Sequence, residues 1–153
     1  MAEYVGQVPH ILVVEDSPED SQLVIEGFRE VGREVRFTIL EEGDDALAFL
    51  RREGRHRAAQ RPDLIVLDLN LPRRSGHEVL AQVKTEPHLK EIPVIVLTTS
   101  SGKSDIARSY ELHANCYIVK PLDLDAFMDA IRDIERFWLN LVRLPSREAE
   151  ARA

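Results

Sequence analysis

The sequence predicts an α/β protein: five parallel strands in a doubly wound sheet, with a last helix that runs on past the sheet. Three observations carry the prediction. Short apolar runs alternate with helical patterns along the chain, in the order βαβαβαβαβα. These runs are apolar on every side, so both faces of each strand must be covered, and right-handed crossovers put helices on both faces. Four of the five runs finish in polar residues able to build a site: Glu15-Asp16, Asp68, Thr98 and Lys120-Pro121. Ligands of an open parallel sheet sit beyond the carboxyl ends of its strands, where these residues would meet.

The first strand is residues 11–14, and Pro18, suited to a first helical turn, opens a helix over 18–31. A second strand over 35–40 and a helix over 44–52 follow, with Gly43 and Gly54 marking the joins. The third strand, 64–67, ends in Asp68 and leads to a helix over 76–84. The fourth, 94–97, ends in Thr98, and Gly102 precedes a helix over 103–112. The fifth, 116–119, leads to a helix over 124–144 that Pro145 stops. The chain therefore divides into an N-terminal tail (1–9), one domain (10–136), an apolar extension of the last helix (137–145) and a polar tail (146–153) prone to fray.

A chain of 153 residues fits one domain that buries roughly two-thirds of the surface it exposes when unfolded. No apolar stretch approaches the ~20 residues that cross a bilayer, and residues 1–10 lack the regions of a signal peptide, so a cytoplasmic protein is expected. The single cysteine, Cys116, can form no internal disulfide and reads as a structural thiol inside a strand. The net charge of −7 disfavours nucleic acid and anionic membrane as partners. Residues 51–62 break the trend with five arginines against one glutamate, read as a solvated loop ahead of a docking patch for an acidic partner. His10, His56, His77, His88 and His113 show no ligand spacing, and Asp63, at the start of its strand, reads as a surface acid.

Carboxylates packed into one crevice repel one another unless something positive lies among them. Mg²⁺ takes one or two protein carboxylates, with waters and a phosphate oxygen completing its shell, and Asp16 and Asp68 could supply them. A carboxylate neutralised in this way can be approached by a phosphoryl group and attack it, forming an aspartyl phosphate. Such a transfer needs mainly positioning and charge, which a lysine such as Lys120 and a hydroxyl such as Thr98 would supply.

The segments Val13-Val14-Glu15-Asp16, Leu67-Asp68-Leu69-Asn70-Leu71-Pro72, Val96-Leu97-Thr98 and Tyr117-Ile118-Val119-Lys120-Pro121 resemble the receiver domain of two-component response regulators over residues 11–134. The resemblance implies a flavodoxin-like sheet of strand order 2-1-3-4-5. It implies Asp68 as phosphoacceptor, Asp16 as a direct ligand of Mg²⁺, Glu15 as an acid holding a metal-bound water, and the Asn70 backbone carbonyl as a further ligand. Thr98 and Lys120 would contact the phosphoryl oxygens, and Tyr117 would change rotamer as Thr98 moves. Asn70 and Ser100 would tune the phosphoryl lifetime, and the Lys120-Pro121 peptide would be cis. The fourth helix, fifth strand and fifth helix would form the output surface. The stretch from Ser109 to Tyr117, with Phe137-Trp138-Leu139, is similar to small single-domain regulators paired with phytochrome histidine kinases. A sensor histidine kinase of that kind is then the expected partner, with a phosphotransfer protein downstream.

Each residue alone has a plainer reading: Asp16 or Glu15 as a helix-start acid, Thr98 as a capping hydroxyl, Lys120 as a solvated lysine, Tyr117 as a strand aromatic. Their joint placement favours the site. A metal-dependent aspartyl-phosphate phosphatase would want a second carboxylate two residues after the nucleophile, where this chain has Asn70. At most slow hydrolysis is expected, not sustained turnover. A phosphorylation-independent pseudo-receiver remains the other alternative, against which the complete residue set argues. Beyond residues 124, 127, 128, 131 and 134, which make the stripe that one helix needs, the apolar pattern overruns through Phe137, Trp138, Leu139, Leu141, Val142 and Leu144. A symmetric homodimer through Phe137, Trp138, Leu141 and Val142 is the expected use of that surface.

Overall fold

The computed structural model describes residues 8–30 and 32–145. Most of the predicted N-terminal tail, all of the polar tail 146–153 and Val31, the predicted end of the first helix, lie outside the described residues. The strands β1 (His10–Val14), β2 (Arg36–Leu40), β3 (Leu64–Leu67), β4 (Val94–Thr98) and β5 (Cys116–Val119) pair in parallel, in the order β2-β1-β3-β4-β5. They are separated and followed by α1 (Pro18–Arg29), α2 (Gly43–Arg51), α3 (Gly76–Thr85), α4 (Lys103–Glu111) and α5 (Leu124–Glu135). The strand order reverses between β1 and β3, which sets the crevice at their carboxyl ends.

The alternation along each strand divides the interior in two. Leu12, Val14, Ile65, Leu67, Val94 and Val96 pack with residues of α2 and α3 such as Leu47, Leu50, Leu80 and Val83. Ile11, Val13, Leu64, Val66, Ile95 and Leu97 face α1 and α5, meeting Val24, Phe28, Phe127, Ile131 and Ile134. Covering both faces is what fully apolar strands require. Gly27 lets α1 close on α5, since a Cβ there would lie 2.4 Å from Ile131 Cγ2. Ser17 caps α1, accepting from Asp20 N at 3.3 Å, and Asp123 caps α5, accepting from Ala126 N at 2.9 Å.

The C-terminal segment departs from the predicted helix over 124–144. Regular α-helix ends at Glu135 and continues as a π-helical segment, Arg136–Leu141, with Val142 N bonded to Phe137 O at 2.9 Å. The wider turn brings Asn140 back over Glu135, and its Nδ2 donates to both carboxylate oxygens at 2.9 Å. That bond serves a fully buried glutamate, and Arg33 ties the same turn to the end of α1 through Leu139 O and Asn140 Oδ1. The apolar extension therefore does not ring a free helix: Leu139 enters the α1/α5 core, and Trp138 and Leu144 pack at its margin. Phe137 and Leu141 stay outside, 47% and 73% exposed. Leu124 is also exposed rather than part of the buried stripe, because it is the first residue of its helix.

Residues 51–62 are a mostly exposed segment, as expected, with a 3₁₀ turn, Gly54–His56, and with Arg51 and Arg55 paired with Glu86 and Asp45. Two smaller expectations are corrected. Asp63 is more than a surface acid, because its Oδ2 accepts from His10 N at 2.8 Å and so joins the starts of β1 and β3. The Lys120-Pro121 peptide is not cis; trans is the lower-energy isomer, and with it the lysine already reaches its partners. Among the described residues no helix is long and apolar enough to cross a membrane.

Candidate functional site

The pocket lies at the carboxyl ends of β1, β3, β4 and β5, and at its centre is an ammonium. Lys120 Nζ donates to Glu15 Oε1 at 2.5 Å, to Asp68 Oδ2 at 2.8 Å and to Asp20 Oδ2 at 2.8 Å. Glu15, Asp68 and Lys120 are buried, whereas Asp16 is exposed at the mouth. Asp68 Oδ1 accepts from the Asn70 amide at 3.0 Å, and Asn70 Nδ2 stands 3.5 Å from the buried Thr98 Oγ1. Apolar strands on both sides hold these groups: Asp68 N donates to Val14 O, and Lys120 N donates to Thr98 O. Gly76 completes the support. A Cβ there would lie 2.3 Å from Asp68 O and 2.6 Å from Leu69 Cα, so the start of α3 can rest against the Asp68 backbone only as glycine.

The two buried acids differ electrically. Burial pushes Glu15 up to about 7, with the charge of Asp68 adding to it and Lys120 opposing it. Burial acts on Asp68 in the same sense, but hydrogen bonds from Lys120 and the Asn70 amide outweigh it and hold the carboxyl below its ordinary value. Lys120, despite burial, is raised by its bonds to Asp20, Asp68 and Glu15 and stays an ammonium. Asp68 is therefore an ionised carboxylate with no need of a base.

One oxygen each from Glu15, Asp16 and Asp68 lie within 4.8 Å of one another. Three hard oxygen donors at that spacing fit a divalent cation of the Mg²⁺ or Mn²⁺ kind. The surroundings do not attract anions: the groove beside Asp16 is lined by Glu41, Glu42 and Asp45, and its Arg55 is already paired with Asp45. An incoming phosphoryl group would need a metal charge here.

The structure thus gathers Glu15, Asp16, Asp68, Asn70, Thr98 and Lys120, all of which the sequence singled out. Tyr117 stands beside the pocket, half-buried, with its hydroxyl donating to Ser100 O at 2.9 Å. Ser100 Oγ in turn donates to Asp105 Oδ2 at 2.5 Å, joining β5 to the start of α4. On the outer side of β5, Tyr117 N donates to the Tyr110 hydroxyl at 3.1 Å. Phe137, Trp138, Leu141 and Val142 belong to the C-terminal segment and take no part. Sequence reasoning missed Asp20, since an acid in a helix's first turn reads as a cap or a dipole partner.

Comparison with known proteins identifies the family. The family model described as the response regulator receiver domain matches residues 11–132. The response regulator Rcp1 of Synechocystis is 48% identical over 136 residues, covering 89% of this chain and 92% of that one. The crystal structure of Mn²⁺-bound Rcp1 superposes with a TM-score of 0.87 at 47% identity, covering 90% of this chain and 99% of that one. The phosphorylated cyanobacterial phytochrome response regulator RcpA gives 0.88 at 45% identity, covering 91% and 99%. With the sheet order, the pocket and these relatives in agreement, the chain belongs to the response regulator receiver domain family.

Proposed function

We propose that this chain is a phosphorylation-driven switch whose Asp68 takes a phosphoryl group from a phosphohistidine on a sensor histidine kinase of phytochrome type. The observation that carries this reading is the ionised Asp68 carboxylate clasped by Lys120 within reach of Glu15 and Asp16. An Asp68 oxygen attacks phosphorus, the phosphorus–nitrogen bond breaks, and the released imidazole takes a proton from solvent. Asp16, Asp68 and the Asn70 carbonyl, with Glu15 behind them, would hold Mg²⁺, whose charge would let one anion approach another. Lys120 and Thr98 then hold the transferred phosphoryl oxygens. Water reverses the modification by releasing phosphate, slowly, since Asn70 offers no acid or base for turnover.

Thr98 moving toward the phosphoryl group and Tyr117 turning inward would carry the change to the face formed by α4, β5 and α5. The exposed Phe137 and Leu141 of the C-terminal segment support a homodimer. A cytoplasmic setting and a downstream phosphotransfer protein complete the reading. The test is intact-mass analysis after incubation with acetyl phosphate and Mg²⁺. The wild type should gain one phosphoryl group, while Asp68→Asn and chelator-treated wild type should gain none; equal labelling of Asp68→Asn would overturn the assignment.

A further inference from the structure

We propose that Asp20 is a positioning residue for Lys120: it gives the ammonium an anchor that is neither phosphoacceptor nor metal ligand, so the lysine can leave the Asp68 oxygen without losing its charge partner. The inference rests on the phosphoacceptor reading above.

The geometry at the start of α1 carries it. Ser17-Pro18-Glu19-Asp20 has the spacing of a capping box, in which the acid three residues on reaches back to the amide of the cap. Only half of that box forms. Ser17 Oγ accepts from Asp20 N at 3.3 Å, but Ser17 N donates to Glu15 Oε2 at 3.2 Å instead. The Asp20 carboxylate, released from its own helix, turns to Lys120 Nζ at 2.8 Å. Each of the three ammonium hydrogens thus has a carboxylate.

The three partners are not equivalent. Glu15 and Asp68 belong to the set whose oxygens can share a cation, and their side chains are 6% exposed. Asp20 stands outside that set, with its side chain 31% exposed. When a metal draws on Glu15 and Asp68, and Asp68 loses its charge on becoming an acyl phosphate, two of the three partners weaken together. Of the three, only Asp20 is touched by neither the metal nor the transfer. Without it, Lys120 would bind Glu15 and Asp68 more closely and compete with both metal and phosphoryl group.

Positioning and simple charge predict opposite results, which makes the test decisive. Removing a negative charge near the pocket should by itself speed attack on anionic acetyl phosphate, whereas loss of the anchor should slow it. Labelling rates should therefore fall about 3- to 10-fold in Asp20→Asn, equivalent to roughly one kcal/mol in the barrier, and recover for the most part in Asp20→Glu. A second arm uses calorimetric titration with Mg²⁺, with no phosphoryl donor present. Asp20→Asn should weaken binding more in the wild-type background than in Lys120→Met, giving a non-zero coupling in the double-mutant cycle. A helix-start role would act alike in both backgrounds. Unchanged or faster labelling in Asp20→Asn, or additive calorimetry, overturns the proposal. If the wild type takes no phosphoryl group, the phosphoacceptor reading fails instead, and the calorimetric cycle still decides whether Asp20 governs Lys120.

Discussion

Lys120 holds one positive charge among three carboxylates, and that imbalance is what makes the pocket receptive to a cation. Glu15, Asp68 and Thr98 were legible because each ends an apolar run, and a strand leaves its last residue at the crevice. Asp20 was not legible, since nothing in a helical pattern says which way a first-turn acid will face. Tyr117 is a residue whose chemistry and signalling should separate. Its hydroxyl bonds to Ser100 O rather than to any pocket carboxylate, so Tyr117→Ala should label at Asp68 at close to the wild-type rate while losing the phosphorylation-dependent change in its output face. Hydrogen exchange of α4 and β5 with and without acetyl phosphate measures this, and a loss of labelling in a folded variant would contradict it; the truncation should cost about 2 kcal/mol in stability. Lys84 offers a test remote from the metal. Its Nζ donates to Lys90 O, Ile92 O and Asn115 Oδ1, all carbonyl oxygens, and burial pushes its pKa down from 10.5 to about 8. Between those values the unfolded chain binds a proton that the native chain has released, so this group's contribution to stability rises with pH across the window. Melting curves of wild type and Lys84→Met should diverge in favour of the wild type as pH rises above about 8, and a gap independent of pH would contradict the burial effect.

The elements were read closely from periodicity wherever one period held throughout. β3 and β5 match their predicted spans, and the other three strands differ by one residue at an end. The last helix failed at the point where its period changed. From Arg136 the turn widens, Asn140 sits over Glu135 at a spacing of five, and Leu139 reaches the core; a pattern read at 3.6 residues per turn takes the same residues for an all-round apolar helix. Gly76 illustrates the opposite limit, where sequence shows a join but not its reason. Because its neighbours are the backbone of Asp68 and Leu69, not the ends of flexible side chains, Gly76→Ala must push α3 away from the end of β3. It should destabilise the fold by about 1–3 kcal/mol and slow labelling of Asp68. Chemical denaturation together with the acetyl phosphate assay checks both, and a wild-type labelling rate would show that the α3 contact does not position the acceptor.

At the scale of the whole molecule, the doubly wound arrangement was legible because a parallel sheet leaves few ways to cover strands that are apolar on both faces. Association between molecules was less so, since the sequence cannot say which surplus apolar residues turn inward. Trp138 and Leu139 serve their own core, which leaves Phe137 and Leu141 as the exposed large apolar side chains of the C-terminal segment. Light scattering should find a dimer at high micromolar concentration that Phe137→Glu with Leu141→Glu reduces to monomer; a wild type monomeric with and without acetyl phosphate would refute it. The outer border of the sheet is guarded by the Tyr110 hydroxyl on Tyr117 N. β5 is an outer strand of the sheet, and outer strands are where one chain can extend another's ladder without limit. Here an incoming strand would first have to displace a phenol from the amide it needs. Growth into filaments by strand addition is therefore hindered at that border.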